Sequence, residues 1–234
     1  MTTKNNKTEI MILGTLHGLH RNNQAYSFDD IFRIIEEFDP DAAAVEIRSE
    51  DIGQPKEYLS KYYPYEMIET KIRFGSRFPV YGFDWLGDEI KNRPIPDGYF
   101  KTLPVKILES EYDADTIPEK AYLEKLDQDR MLLITNKTAE ECNDGRYDAS
   151  GEEYYAQFAD AVKGTKYQPI TDFYRKRDEN IGRNIIGIIE RNEGKKIIFL
   201  MGMDHRVFAI KNIRARFGEG IKIVAKYGRD RYEI

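Results

Sequence analysis

The sequence predicts an α/β fold, with a mainly parallel sheet of about five strands and helices on both faces of it. Short apolar runs alternate along the chain with segments in which apolar residues recur every three or four positions, and this alternation is typical of βαβ units. The chain has 234 residues, of which 41% are hydrophobic, and this is enough for one core. We therefore expect a single α/β domain over 1–234, with a helical insertion, or cap, at 85–170.

The first βαβ unit begins with a strand at 8–14. Ser27 then has Asp30 three positions further on, which is the arrangement of a capping box at the start of a helix. Apolar residues at helical spacing mark the buried side of that helix, namely Phe28, Ile31, Phe32, Ile35 and Phe38. Pro40 ends the helix and a second strand follows at 42–47, so we expect the two strands to be parallel neighbours in the sheet.

A third strand is predicted at 78–83, and a helical segment precedes it. Residues 55–75 are rich in tyrosine and have helical spacing that is interrupted near Pro64. Proline lacks a backbone donor and breaks a helix. We therefore expect a broken helical segment before this strand.

The long stretch at 85–170 contains no pattern of a buried strand. It predicts helices at 118–134 and 151–163, with Ser150 as the N-cap of the second. Because the insertion follows the carboxyl end of a strand, we expect it to lie over that edge of the sheet as a lid. The alternative is a helical subdomain that only covers apolar surface.

The α/β order resumes after the insertion. A long helix is predicted at 171–192, ended by Gly194. A strand at 196–201, a helix at 205–216 and a strand at 221–227 complete the chain. Together with the first three, these strands account for the predicted sheet.

Composition and charge narrow the classes of function. A net charge of −5 provides no basic patch for nucleic acid, and no apolar stretch approaches the roughly 20 residues that a membrane span needs. Cys142 is the single cysteine, which excludes an intrachain disulfide framework and a cysteine-rich zinc site. The polar N-terminus lacks a signal pattern. We therefore expect a cytoplasmic protein with no nucleic-acid or membrane partner.

Histidines and carboxylates follow the predicted strands. His17 and His20 come shortly after the first strand, and His205 follows a later one. Glu46 and Asp84 stand at the ends of two others. Because ligands bind outside the carboxyl ends of the strands in an open α/β sheet, these side chains are candidates for one site. Imidazole and carboxylate groups are those that hold a divalent metal or move a proton.

The predicted long helix carries polar residues on its apolar side. Arg177 lies four residues before Ile181, and Asn184 lies three after it, so both fall on or beside the buried stripe. Because an unpaired polar group in a core is costly, we expect Arg177 to contact Asp84 or Glu46. The alternative is a purely structural network.

Two Gly-x-x-His units stand at equivalent strand ends, at Gly14–His17 and Gly202–His205. Glu46 and Asp84 lie between them, and the segment 177–185 reads Arg-Asp-Glu-Asn-Ile-Gly-Arg-Asn-Ile. In their order and spacing these motifs resemble those of the TraB/Tiki superfamily, which also includes erythromycin-esterase-like and ChaN-like proteins. The resemblance covers most of the α/β frame but not the predicted cap.

The resemblance implies a metal-dependent hydrolase with peptidase-like or esterase-like activity, which acts on a small-molecule or peptide substrate and has a divalent metal ion as cofactor. On this interpretation His17 and His205 are metal ligands, and Glu46 is a ligand or the general base. Asp84 is a ligand or a group that supports one. His20 is additional to the motif and is a candidate third histidine ligand.

The resemblance also implies roles for residues of the long helix. The family pattern Arg-x-x-x-(Met/Ile)-x-x-Asn corresponds here to Arg177, Ile181 and Asn184, and Arg177 would stabilise oxyanion charge. No Gly-x-Ser-x-Gly segment occurs, which disfavours a serine nucleophile. The alternative to a hydrolase is a non-catalytic protein of the same fold that binds haem or a peptide.

Overall fold

The computed structural model describes residues 7–225 and the backbone of 232–233. The strands are β1 Thr8–Thr15, β2 Ala42–Arg48, β3 Val80–Asp84, β4 Lys196–Gly202, β5 Ile221–Ala225 and β6 Tyr232–Glu233. They form one sheet in the order β3-β2-β4-β1-β5-β6. The first five strands of this order run parallel, and β6 pairs antiparallel with β5 at the edge.

Helices account for most of the remaining described chain. In chain order the α-helices are α1 Phe28–Phe38, α2 Lys56–Leu59, α3 Tyr65–Phe74, α4 Tyr99–Thr102, α5 Pro104–Ala114, α6 Lys120–Leu132, α7 Ala139–Cys142, α8 Arg146–Val162, α9 Gln168–Arg191 and α10 Met203–Phe217. Ser27 and Asp30 form the predicted capping box of α1. The predicted break near Pro64 is confirmed, because α2 ends before this residue and α3 begins directly after it.

Both faces of the sheet are covered. Alternate residues of β4 divide between two apolar cores, so that Ile198 and Leu200 contribute to one and Ile197 and Phe199 to the other. The first core includes residues of α1 and α3, and the second includes residues of α9 and α10. Parallel strands covered on both faces read as continuous apolar runs, which is how these strands appear in the sequence. The predicted α/β fold is confirmed.

The prediction that the first two strands are neighbours is wrong. β4 lies between β1 and β2, pairing in parallel with both. Residues 197–201 of β4 are all fully buried, and a strand that is apolar on both sides is most stable at the centre of a covered sheet. The consequence for the site is that β1 and β4, which precede the two Gly-x-x-His histidines, are side by side.

The insertion differs from the prediction in its helix boundaries. α8 begins at Arg146, after Gly145 with a left-handed φ of 93°, so Ser150 lies inside the helix instead of capping it. Gly145 adopts this conformation without steric cost, and the helix can begin earlier than the serine pattern indicates. The helix at Pro104–Ala114 was not predicted; proline at its first position suits a helix start.

The last elements agree with the prediction apart from their ends. α9 starts at Gln168, a few residues before the predicted helix, and β5 ends at Ala225. The final two residues of the predicted strand, 226 and 227, lie outside the described residues. Within the described part of the chain, no helix has the length and apolarity needed to cross a membrane.

Candidate functional site

The residues that follow four parallel strands meet at one edge of the sheet. Glu46 lies near the end of β2, and Asp84 is the last residue of β3. His17 begins the short 3-10 turn after β1, and His205 lies in the first turn of α10, directly after β4. All four side chains line the same cavity. The structure therefore brings together the four predicted strand-end residues.

The two Gly-x-x-His units need glycine at their first position, because neighbouring atoms lie where a Cβ atom would stand. A Cβ atom on Gly202 would lie 2.6 Å from Nε2 of His17 and 3.4 Å from Oε2 of Glu46. A Cβ atom on Gly14 would lie 2.2 Å from Sδ of Met203 and 3.0 Å from Oδ1 of Asn143. A larger residue at either position would displace these neighbours, and at Gly202 the missing side chain leaves room for His17 and Glu46.

Glu46 is the centre of the cluster. Its Oε1 accepts a hydrogen bond from Nη2 of Arg177 at 2.8 Å and lies 3.4 Å from Nε2 of His205. Its Oε2 accepts a hydrogen bond from the backbone N–H of Gly202 at 2.7 Å and lies 4.0 Å from Nε2 of His17. The two histidines therefore direct their Nε2 atoms at opposite oxygens of one carboxylate.

This environment keeps Glu46 ionised. The residue is only 5% exposed, and burial by itself raises the pKa of a carboxyl group. The charges of His205, Arg177 and His17 outweigh burial and lower the pKa of Glu46 from 4.5 to about 2. A carboxylate this acidic takes up no proton near neutral pH. In this arrangement Glu46 carries a negative charge near neutral pH.

Arg177 bridges Glu46 and Asp84, as predicted. Its Nε and Nη2 donate to Oδ1 of Asp84 at 3.1 and 3.0 Å, and Nη2 also donates to Glu46. Burial raises the pKa of Asp84; Arg177 counteracts this only in part, and the charge of Glu46 adds to the rise. The prediction that the guanidinium points into the cluster is confirmed.

His17 is held by a carboxylate that the sequence analysis did not single out. Nδ1 of His17 lies 2.7 Å from Oε1 of Glu66, a fully buried residue in the first turn of α3. The same oxygen accepts a hydrogen bond from the hydroxyl of Thr15. Burial lowers the pKa of His17, but the hydrogen bond to Glu66 and the charge of Glu46 outweigh it, so the pKa is raised above 6.5.

His205 has a similar partner. Its Nδ1 lies 2.7 Å from Oδ1 of Asp178, the residue that follows Arg177 on α9. Burial lowers the pKa of His205, and the charge of Glu46 and the contact with Asp178 raise it by more. Each histidine therefore has one ring nitrogen on a carboxylate and the other directed at Glu46. Carboxylates orient histidines in this way both in catalytic bases and in metal sites.

Two predicted site residues lie elsewhere. His20 is buried, with Nε2 accepting a hydrogen bond from the backbone N–H of Leu16 and Nδ1 against the carbonyl oxygen of Tyr26, each at 2.7 Å. Because the backbone occupies both ring nitrogens, His20 is not available as a metal ligand here. Asn184 is exposed, and its Nδ2 donates to the carbonyl oxygen of Phe83 at 2.9 Å. It supports the end of β3 from outside the cavity.

The oxygens of Glu46 already have partners within the protein. Among residues 7–225, no group of three or more His, Cys, Asp or Glu side chains has the geometry of a metal site. Arg177 and the N–H of Gly202 occupy the two oxygens of Glu46, so a dication placed there would lie beside a fixed positive charge. The predicted metal therefore stays a prediction.

A cavity of about 1120 Å³ opens over the cluster. Residues from the strand ends and residues of α5, α6 and α8 line it together, so these helices of the insertion lie next to the carboxyl ends of the strands. The wall contributed by these helices and α9 combines charged residues with five aromatic ones: Tyr112, Tyr154, Tyr155, Phe158 and Tyr174. Aromatic side chains beside placed polar groups are typical of small-molecule sites. That the insertion moves as a lid stays a prediction.

Two carboxylates of the site, Asp178 and Glu66, were not among the predicted site residues. Asp178 stands beside Arg177 within the motif of the long helix, and its position there could have marked it as a candidate. Glu66 lies 49 residues from His17, and no spacing in the sequence connects the two. The pairing that orients His17 was therefore not predictable from a local pattern.

No family model, curated protein or solved structure matches the chain. The site is therefore interpreted from its own residues.

Proposed function

We propose that the protein is a hydrolase of ester or amide bonds in which His17 is the general base. The observation that carries this proposal is the orientation of the imidazole, with Nδ1 on the buried Glu66 and Nε2 directed toward Glu46 in the cavity wall. A carboxylate on Nδ1 holds histidine in the tautomer that accepts a proton at Nε2. The side chain of His17 is 40% exposed, so water and substrate reach it.

In the proposed reaction, a water molecule attacks the carbonyl carbon of the substrate while Nε2 of His17 takes up one of its protons. Arg177 stabilises the charge that develops on the carbonyl oxygen. Its Nη1 makes no hydrogen bond within the described part of the chain and is available as the donor. His205, which is protonated below its raised pKa, gives a proton to the leaving oxygen or nitrogen. The products are a carboxylic acid and an alcohol or amine.

Glu46 supports this reaction without exchanging a proton. Because its pKa is about 2, it stays ionised throughout. Its negative charge favours the imidazolium form of His17 that appears when water is deprotonated. It also holds His205 in the protonated state that the leaving group requires.

The cavity favours substrates with an apolar body next to the scissile carbonyl. Aromatic rings line the cavity together with the polar cluster at the strand ends, so a ligand there meets both rings and charged groups. Burial of apolar surface against these rings supplies binding free energy. Small-molecule esters and short peptides with apolar side chains are the compounds to screen first.

The experiment that tests the proposal is a screen of such esters and peptides, followed by a pH profile on the best substrate. We expect kcat/KM to rise with pH as His17 loses its proton, with an apparent pKa above 6.5 because the pKa of His17 is raised. At higher pH the rate should fall as His205 loses the proton that it must donate. The two apparent values belong to the coupled pair. Hydrolysis that is independent of pH across this range would contradict the proposed base.

In Glu66→Gln, the rise of kcat/KM with pH should occur at lower pH than in the wild type. Glu66 raises the pKa of His17, so loss of its charge lowers that pKa, while the weaker base lowers the maximal rate. Glu69→Gln is the matched control, because Glu69 lies one turn further along α3 and contacts Lys56 and Arg73 instead of His17. Identical profiles for the two variants would count against a role for Glu66.

A metal-dependent form of the same hydrolase is the second candidate. It is favoured by the carboxylates on Nδ1 of His17 and His205, because metal-ligating histidines hydrogen-bond in this way through their other nitrogen. Elemental analysis of protein purified without a histidine tag, and assay after chelation, separate the two forms. Stoichiometric metal that is lost in His17→Gln would support the metal form. Full activity after metal removal would exclude it.

A further inference from the structure

The turn that carries His17 has a strained backbone. His17 has a φ of 50°, in the left-handed region that residues other than glycine rarely adopt. Such a conformation persists only where surrounding contacts hold it. Here it places the ring between Glu66 and the cavity. The contacts that hold the turn therefore also set the position of the proposed base.

His20 supplies one of these contacts directly beside His17. Its Nε2 accepts a hydrogen bond from the backbone N–H of Leu16, the preceding residue, and its Nδ1 lies against the carbonyl oxygen of Tyr26. An N–H only donates and a carbonyl oxygen only accepts, so Nδ1 must carry the proton and Nε2 must be unprotonated. The two contacts admit one tautomer of the neutral imidazole and exclude the imidazolium.

The surroundings of His20 favour that neutral form. The residue is 2% exposed, with the ring of Tyr26 edge-on at 4.6 Å between centroids and the ring of Phe28 at 5.2 Å. Burial lowers the pKa of His20, and the hydrogen bond to Tyr26 and the charge of Glu66 offset only part of this. The acceptor for Leu16 is therefore present near neutral pH.

The end of β1 is held at a second point. The hydroxyl of Tyr26 donates to the carbonyl oxygen of Gly14 at 2.8 Å, and Oδ1 of Asn143 accepts from the N–H of Gly14 at 2.7 Å. The chain is thus fixed at Gly14 and again, through His20, at Leu16. His17 follows directly, and it has little freedom to leave Glu66.

We propose that His20 is a positioning residue, which acts through Leu16 to hold His17 with Nδ1 on Glu66 and Nε2 toward the cavity. That His17 is a catalytic base rests on the proposed function. That His20 holds the turn of His17 rests on the hydrogen bonds alone. His20 is not among the residues that line the cavity, and both of its ring nitrogens are occupied. It therefore contacts no substrate atom.

Two substitutions separate the two contacts of the imidazole. In His20→Gln the amide reaches the position of Nε2 and can accept from Leu16, whereas in His20→Asn it reaches the position of Nδ1 and can contact only Tyr26. We expect His20→Asn to release Leu16 and His17, and kcat to fall on the order of 100-fold because the base is misplaced. KM should not change, since His20 does not line the cavity. His20→Gln should keep most of kcat.

Nuclear magnetic resonance of the histidines provides a readout that is independent of hydrolysis. The chain has three histidines, so each can be assigned. In the wild type, Nε2 of His20 should be unprotonated at neutral pH, and the pKa of His17 should lie above 6.5. In His20→Asn the pKa of His17 should fall toward 6.5 because the contact with Glu66 is lost. In His20→Gln it should stay at the wild-type value.

The outcomes distinguish this inference from the proposed function. A protonated Nε2 of His20 in the wild type would overturn the positioning role without any variant, and so would a wild-type pKa of His17 in folded His20→Asn. If the resonance pattern is found but no substrate is hydrolysed, the positioning role stands and the proposed hydrolase fails. If hydrolysis is found with equal kcat in all three proteins, the positioning role fails and the hydrolase stands.

Discussion

Replacing His17 with glutamine should lower kcat by about 10²–10⁴-fold, the usual contribution of a general base. Glutamine is of similar size, but its amide takes up no proton near neutral pH. His17 lies on a turn and is partly exposed, so the apolar core stays intact. Steady-state rates on the best substrate of the screen measure the effect, with circular dichroism to confirm the fold.

The matched control for this substitution is Leu19→Gln. Leu19 lies in the same turn, and it is 49% exposed. This variant should keep wild-type activity. An active His17→Gln would remove the proposed base from the mechanism. Equal losses in both variants would instead point to the conformation of the turn, and not to the imidazole, as the source of activity.

Replacing Arg177 with methionine should lower the free energy of unfolding by about 3–5 kcal/mol, the range found when one partner of a buried ion pair is removed. Glu46 and Asp84 are both buried and would face each other without the guanidinium between them. Methionine retains much of the packing of the arginine stem. Denaturant unfolding measures the loss, and hydrolysis should also fall because the oxyanion donor is absent.

The destabilisation should depend on pH. In the wild type the pKa of Glu46 is about 2, below its ordinary 4.5. Its interactions therefore stabilise the fold fully above pH 4.5, and this stabilisation is lost as the pH falls toward 2. Without Arg177 the pKa of Glu46 rises, so the folded variant takes up a proton at higher pH than the wild type does. The difference in unfolding free energy between the two proteins should narrow as the pH falls.

Two further variants isolate the ion pair. Arg177→Lys keeps a positive charge but loses the planar group that contacts both carboxylates, so it should recover part of the stability and little of the activity. Arg183→Met is the control, because Arg183 lies on the exposed side of α9 and contacts Asn180. This variant should change the free energy of unfolding by no more than about 0.5 kcal/mol. A similar loss in Arg183→Met would assign the effect to the helix as a whole.

Local pattern was sufficient to predict the elements around the site and several of its residues. The strands appear as short apolar runs because they are buried on both faces, and Glu46 and Asp84 are the first charged residues after two of these runs. The inward position of Arg177 followed from its spacing to Ile181. These predictions succeed because the repeat of side chains along a strand or helix is a property of a short segment.

Helix ends and strand order were less predictable. A serine followed by a glutamate inside α8 resembled a cap, although Gly145 provides the turn at which the helix begins. Neighbouring strands in the sequence suggested that β1 and β2 pair, whereas β4 lies between them. Both errors arise because a local signal competes with contacts made by distant parts of the chain.

The sequence by itself determined which groups stand at the edge of the sheet: two histidines, two carboxylates and an arginine on the inner side of a helix. Only the tertiary structure decided their partners, because these are set by contacts between distant segments. Glu66 binds His17 across 49 residues, and Glu46 binds Arg177 across 131. His20 shares the turn of His17, yet its ring is bound to the backbone. Such pairings cannot be predicted from a repeat of residues along the chain. They decide which histidine is oriented toward the cavity and which one holds the turn.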